Sequence, residues 1–197
     1  MAKDVVVYYA LQSPWTYLGW QRLLDVARDH GAALVFRPIK MAPVFQASGG
    51  LPLAKRPKQR QAYRMMELKR WRDVLGVSLT LEPAFFPVDE TEAALMVIAH
   101  GERGGDVGAL SLAMLRAVWV EERNLADRAT LLAIAGEQGL DGDDLLAAAE
   151  NQAITDIYEA HTQAALMDGI FGVPSFMLGD ELFWGQDRLD LLARALG

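Results

Sequence analysis

Both ends of this chain read as mixed strand and helix, and the long stretch between them reads as helix almost throughout. That arrangement leaves few folds open. Asp4 to Leu11 (D-V-V-V-Y-Y-A-L) is a β-branched and aromatic run suited to a strand buried on both faces. Gln12-Ser13-Pro14 ends it, and Pro14 fits a first helical turn because its missing N–H forfeits no intrahelical bond. Apolar residues at helical spacing run from Trp15 to about His30, where Gly31 supplies a stop. Ala33 to Pro38 is a second short strand, so the opening is β–α–β and predicts parallel strands joined by a right-handed crossover. At the other end, Pro174 to Leu178, a Gly179-Asp180 turn and Glu181 to Phe183 read as a hairpin, followed by a last helix from Asp187.

Between these ends, Ala42 to Pro57 reads as a Pro/Gly/Ser-containing connection and Arg60 to about Leu75 as a helix with a basic face. Val77 to Pro87 is irregular or extended. Asp89 to about Leu166 is Ala/Leu-rich and helical, with breaks near Gly101–Gly105, near Asn124–Asp127 (Asp127 an N-cap) and at Gly139–Asp143. Joining the ends predicts an α/β fold. Residues 1–40 and 168–197 build one four-stranded sheet flanked by helices, and residues 41–167 form a large all-helical insertion.

Composition narrows what such a fold can do. At 52% hydrophobic residues, the 197-residue chain can bury a sizeable core. Its formal charge of −7 disfavours nucleic acid as a partner. No apolar run approaches the ~20 residues of a membrane span. The Met1-Ala2-Lys3-Asp4 start leads into a strand-like run, unlike a secretory h-region, and the expected location is cytoplasmic. Cysteine is absent, which excludes disulfides, thiolate–metal sites and any protein-borne thiol nucleophile. His30, His100 and His161 lack metal-site spacing, so no metal is expected.

Three local features carry chemistry. Ser13-Pro14-Trp15-Thr16 stands where strand one turns into helix one, and free N–H groups with the positive end of the helix dipole favour an anion there. An ordinary serine N-cap before a proline accounts for the same residues. In Gly169-Ile170-Phe171-Gly172-Val173-Pro174-Ser175-Phe176, a cis-Pro174 would leave the Val173 backbone open to pair with a ligand peptide, whereas a trans-proline would mark only a strand boundary. In Phe183-Trp184-Gly185-Gln186-Asp187-Arg188, a ligand carboxylate can take backbone donors at the helix start and Asp187 can accept from an ammonium group. Asp187 as a plain helix cap is the alternative.

Together these segments resemble the 2-hydroxychromene-2-carboxylate isomerase family, a DsbA-like group on the thioredoxin-like fold and close to the kappa-class glutathione transferases. The likeness rests on S-P-x-x-Y after strand one, F-G-V-P before strand three and F-W-G-x-D-R before the last helix. It implies that Ser13 stands in place of the reactive cysteine of thioredoxin-like oxidoreductases, with Thr16 in place of their second one. It also implies glutathione as cofactor, held by Ser13, Val173, Pro174, Trp184, Gln186, Asp187 and Arg188, with Ser13 as the catalytic residue that stabilises the thiolate. An aromatic enone carboxylate as substrate, isomerised cis–trans by reversible thiolate addition in aromatic catabolism, and a homodimer follow from the same likeness. A kappa-class-like transferase, or a non-catalytic DsbA-like binding protein, is the alternative.

Substrate contacts are assigned to Trp15, Phe45, Lys55, Arg56 and Asp89. Here the chain departs from the family: Tyr9-Ala10-Leu11 replaces F-D-F in strand one, and Phe45 aligns with a lysine that meets substrate. Residues Arg37 to Arg72 hold Arg37, Lys40, Lys55, Arg56, Lys58, Arg60, Arg64, Lys69, Arg70 and Arg72 against one acid, Glu67. Most of that band reads as a solvated helix face, and Lys55 and Arg56 as its functional part. Trp71, Trp119, Met65 and Met66, at helical spacing, read as core.

Overall fold

The structure, a computed structural model, describes residues 3–197; the Met1-Ala2 pair of the N-terminal reading lies outside the described residues. Strand β1 (Asp4–Tyr9) pairs in parallel with β2 (Ala33–Pro38) and antiparallel with β3 (Ser175–Leu178). Strand β4 (Glu181–Trp184) pairs antiparallel with β3, giving the order β2-β1-β3-β4. The thioredoxin-like α/β reading therefore holds, with the two ends of the chain meeting in one sheet.

Strand β1 lacks a polar face because helices cover both sides of the sheet. Val5, Val7 and Tyr9 enter the larger core with Trp20 and Leu23 of α1 (Pro14–His30), and Tyr8 packs on the opposite side with Ile39, Val44, Ala165 and Ile170. Ser13 and Gly31 bound α1: Ser13 is the extended N-cap, and Gly31 at φ 61° returns its N–H to the carbonyls of Ala27 and Arg28.

The helical block comprises α3 (Lys58–Leu75), α4 (Thr91–Glu102), α5 (Val107–Trp119), α6 (Arg128–Glu137), α7 (Gly142–Ala149) and α8 (Gln152–Met167). Side chains of Asp106, Asp127, Asp141 and Asn151 cap α5 to α8 by accepting first-turn N–H groups. The main core runs without interruption from β1 through α1 into Met96 of α4 and Trp119 of α5. Among the described residues no helix is long and apolar enough to cross a membrane.

Two expectations need correcting. The segment from Ala42 is no simple connection: α2 (Met41–Ser48) and a 3₁₀ turn at Leu53–Lys55 occupy it. Pro43 falls in the first turn of α2, where a missing N–H costs nothing, and Gly49 at φ 73° closes the helix. Composition alone mimics a loop there. The last helix starts later than Asp187. Gln186–Arg188 is a 3₁₀ turn, and α9 spans Leu189–Leu196.

Candidate functional site

The Ser13 turn is built by three short bonds. Ser13 N–H donates to the Ala10 carbonyl at 3.1 Å, Tyr17 N–H donates to the Ser13 carbonyl at 3.0 Å, and Ser13 Oγ accepts from Thr16 N–H at 3.2 Å. The hydroxyl thus keeps its own proton free to donate elsewhere while it caps α1. Thr16 Oγ1 is buried and has no hydrogen-bond partner among the described residues.

The sheet brings the second segment to this turn. Tyr8 pairs with Ser175, so continuing the antiparallel register sets Val173 opposite Ala10. The Val173-Pro174 peptide is cis. Neither the N–H nor the C=O of Val173 bonds to another described backbone group. Next to it, the Pro174 carbonyl accepts the Gly185 N–H at 2.9 Å and so ties the third segment to the second.

Within that third segment the side chains diverge. Trp184 is exposed and packs edge-on against Phe171 at 4.7 Å, with its Nε1 over Gly172, where a Cβ would come within 2.5 Å. Gln186 turns inward. Its Cβ lies against Gly19 of α1, and its side-chain oxygen accepts from Arg22 Nη1 at 3.0 Å. Asp187 and Arg188 pair with each other at 3.0 Å near the surface. Residues 10–16, 172–174 and 184–188 therefore converge on one end of the sheet.

A fourth segment reaches the turn from the insertion, and sequence reasoning missed its key member. Gln12 is stitched to Val88 in both directions: its Nε2 donates to the Val88 carbonyl at 2.9 Å, and its Oε1 accepts from Val88 N–H at 3.0 Å. Beside this pair, the buried Glu90 carboxylate accepts the Gln12 backbone N–H at 2.6 Å. Burial pushes the Glu90 carboxyl up to about 7, against the opposing pull of the bonds from Gln12. An acid just before an apolar helix reads as a solvated first-turn residue. Nothing local in the sequence marks Glu90 as buried.

The residues assigned to substrate spread over several elements. Trp15 is half-buried against the main core. Asp89, beside Val88, is exposed; hydrogen bonding from Thr91, its side chain first and then its N–H at 2.9 Å from Oδ1, holds the carboxyl below the usual range. Phe45 on α2 lies under the Arg56 guanidinium, whose carbon is 5.9 Å from the ring centre. Lys55 is exposed on the 3₁₀ turn. A second cation, Arg64 on α3, stacks at 5.5 Å over Phe86 and was not distinguished from the rest of the basic band by sequence. Met65 packs on the core as expected, but Met66 is exposed, since the two neighbours point to different faces of α3.

Away from the turn, Tyr8 Oη donates to Asp168 at 2.6 Å and accepts from Arg37 at 2.8 Å, and burial with the Asp168 bond pushes its phenol up to about 12. His161 on α8 is held down to about 4 by burial and by Arg37, in keeping with a structural role.

Residues 4–197 match the sequence profile of the DSBA-like thioredoxin domain. A Pseudomonas putida protein named 2-hydroxychromene-2-carboxylate isomerase is 31% identical over 193 residues, covering 96% of this chain and 92% of that protein. A Rattus norvegicus protein named glutathione S-transferase kappa 1 is 22% identical over 203 residues, covering 97% and 89%. A solved structure described as selenomethionine 2-hydroxychromene-2-carboxylate isomerase superposes with a TM-score of 0.81 at 29% identity, covering 98% of this chain and 94% of its own.

Proposed function

The chain belongs to the DSBA-like thioredoxin-domain family and, within it, to the 2-hydroxychromene-2-carboxylate isomerase family, and from that premise we propose that it is a glutathione-dependent cis–trans isomerase of an aromatic enone carboxylate. The observation that carries the reading is the Ser13 hydroxyl at the amino end of α1 in a chain without cysteine. A thioredoxin-like turn keeps its anion-favouring geometry there, so the sulfur has to arrive on a small molecule.

The residues fit such a cofactor. Val173 offers an unpaired N–H and C=O, Thr16 a buried unpaired hydroxyl, and Asp187 a surface carboxylate for an ammonium group. Pro174 and Trp184 would flank the peptide, and Arg188 would meet a carboxylate. Gln186 would act mainly by fixing the segment on Gly19 and Arg22. Glutathione would supply a thiolate able to add reversibly to a conjugated double bond. Ser13 would donate a hydrogen bond to that sulfur, and with the α1 dipole this would favour the charged form over the thiol, whose free pKa is ~8.5. Trp15, Phe45, Lys55, Arg56 and Asp89 are assigned to the substrate side.

Calorimetry with millimolar glutathione tests the premise, and absence of binding sinks it. Isomerisation of aryl enone carboxylates under substoichiometric glutathione then tests the reaction. Net consumption of glutathione on an aromatic chloride would favour instead the transferase reading, which the kappa-class relative supports. Binding without either turnover would leave a binding protein. A cytoplasmic homodimer belongs to the same proposal, and gel filtration tests its stoichiometry.

A further inference from the structure

A half-buried guanidinium on α3 lacks a counter-charge. Arg64 Nη2 is buried with no hydrogen-bond partner, and Nη1 reaches only Met65 Sδ at 3.7 Å. Among the described residues no carboxylate lies within the 4.0 Å of an ion pair to Arg64. Burial, together with the like charge of Arg56, pushes its pKa down to about 10. A buried cation of this kind is costly unless an anion completes it.

The guanidinium borders a cavity of about 340 Å³, walled by the apolar Leu53, Met65, Leu81, Pro83 and Phe86. Glu82 also borders the cavity, is exposed, and leaves Arg64 unpaired. The walls suit a flat apolar body, and the guanidinium at the cavity's border suits a carboxylate. The chain also fixes where this pocket sits. Phe86 lies two residues before Val88, which is bonded in both directions to Gln12 next to Ser13.

We propose that Arg64 is the anchor for the carboxylate of a conjugated aromatic acid whose ring lies against Phe86 and Met65. This names the specificity-determining contact of the proposed isomerase and rests on that reading for the class of ligand. The anchoring cation is then Arg64, with Arg56, over Phe45 in the loop before α3, adding a second positive charge nearby.

The test compares trans-cinnamate with its neutral isostere cinnamamide by calorimetry, on the full-length protein with and without glutathione. The wild type should prefer cinnamate by about tenfold or more, the range expected for a charge-assisted pair. Arg64→Met should erase that preference, leaving cinnamamide and glutathione binding unchanged. Arg64→Lys, which keeps the charge without the fork, should retain a reduced preference and serves if Arg64→Met fails to fold. Glu82→Gln should leave the preference intact. The proposal is overturned if the wild type shows no preference, if Arg64→Met keeps it, or if cinnamate binds only once Glu82 is removed. Cinnamate preference lost in Arg64→Met without any glutathione binding would sink the isomerase reading and leave the carboxylate site standing.

Discussion

The Glu90 carboxylate accepts the Gln12 backbone N–H at 2.6 Å, one residue before Ser13. A side chain from the helical insertion thus holds the backbone from which the proposed catalytic hydroxyl is presented. The ionisable groups that act on the carboxyl through space are Tyr9, Tyr158 and Asp89, none of which offers it a positive charge.

Burial of that carboxyl sets a pH dependence of stability. The folded Glu90 pKa of about 7 lies above its ordinary value of 4.5, so between those values the folded state binds more protons than the unfolded one. Stability therefore falls as pH rises from about 4.5 to about 7, by about 3 kcal/mol for this group alone. Denaturant melts at successive pH values should show that decline flattened in Glu90→Gln. An equally steep decline in the variant would remove Glu90 as its source.

Ser13→Ala separates cap from catalyst. Losing the bond from Thr16 N–H should cost about 1 kcal/mol of stability. Turnover should fall much further, by about 10²–10³, because a donor to developing charge is gone, while glutathione affinity drops only modestly. The apparent pKa of the pH–rate profile should also rise. Unchanged turnover with the stability loss alone would make Ser13 a helix cap and nothing more.

Gly19 and Gly172 make contrasting sites. A Cβ at Gly19 would meet Gln186 Cβ at 2.7 Å in the interior, and Gly19→Ala should destabilise by about 1–3 kcal/mol and weaken glutathione binding by shifting the Gln186-Asp187 turn. At Gly172 the obstacle is the exposed Trp184 ring, which can swing away. Gly172→Ala should change tryptophan fluorescence with little loss of stability. Equal melting temperatures for the two variants would contradict this ranking.

Tyr9 Oη and Ser111 Oγ lie 2.9 Å apart in the core and satisfy each other. Tyr9→Phe and Ser111→Ala should each cost about 1–3 kcal/mol by orphaning a buried hydroxyl. The double variant should cost less than the two singles summed, and a strictly additive cycle would show that the pair is uncoupled.

The sheet elements were legible because their signals are local. Pro14 and Gly31 mark the ends of α1, and the Gly179-Asp180 turn fixes the hairpin. Ser13, Val173 and Trp184 could be named from the sequence because each sits at or beside a strand end that the topology must bring together. Helix α2 was hidden by Pro43, Ser48 and Gly49, whose composition copies a loop while their positions suit a helix start and stop. Glu90 and Arg64 were hidden for a different reason. Arg64 reads as a solvated charge on α3 and Glu90 as one at the start of α4, and only packing between distant segments buries them.

The pairing of β1 with β3 also orders events during synthesis. Val5 finds its partner Leu178 only after residues 10–174 have been made. At ~5–20 residues per second that interval is roughly ten to thirty seconds. Strand β2 can dock early on one edge of β1, and the insertion can form its own helical contacts meanwhile. Through that interval the other edge of β1, with its run of valines and tyrosines, stays open to strangers. Slower translation between β2 and β3 should therefore lower the soluble yield of this protein more than slower translation after Leu178.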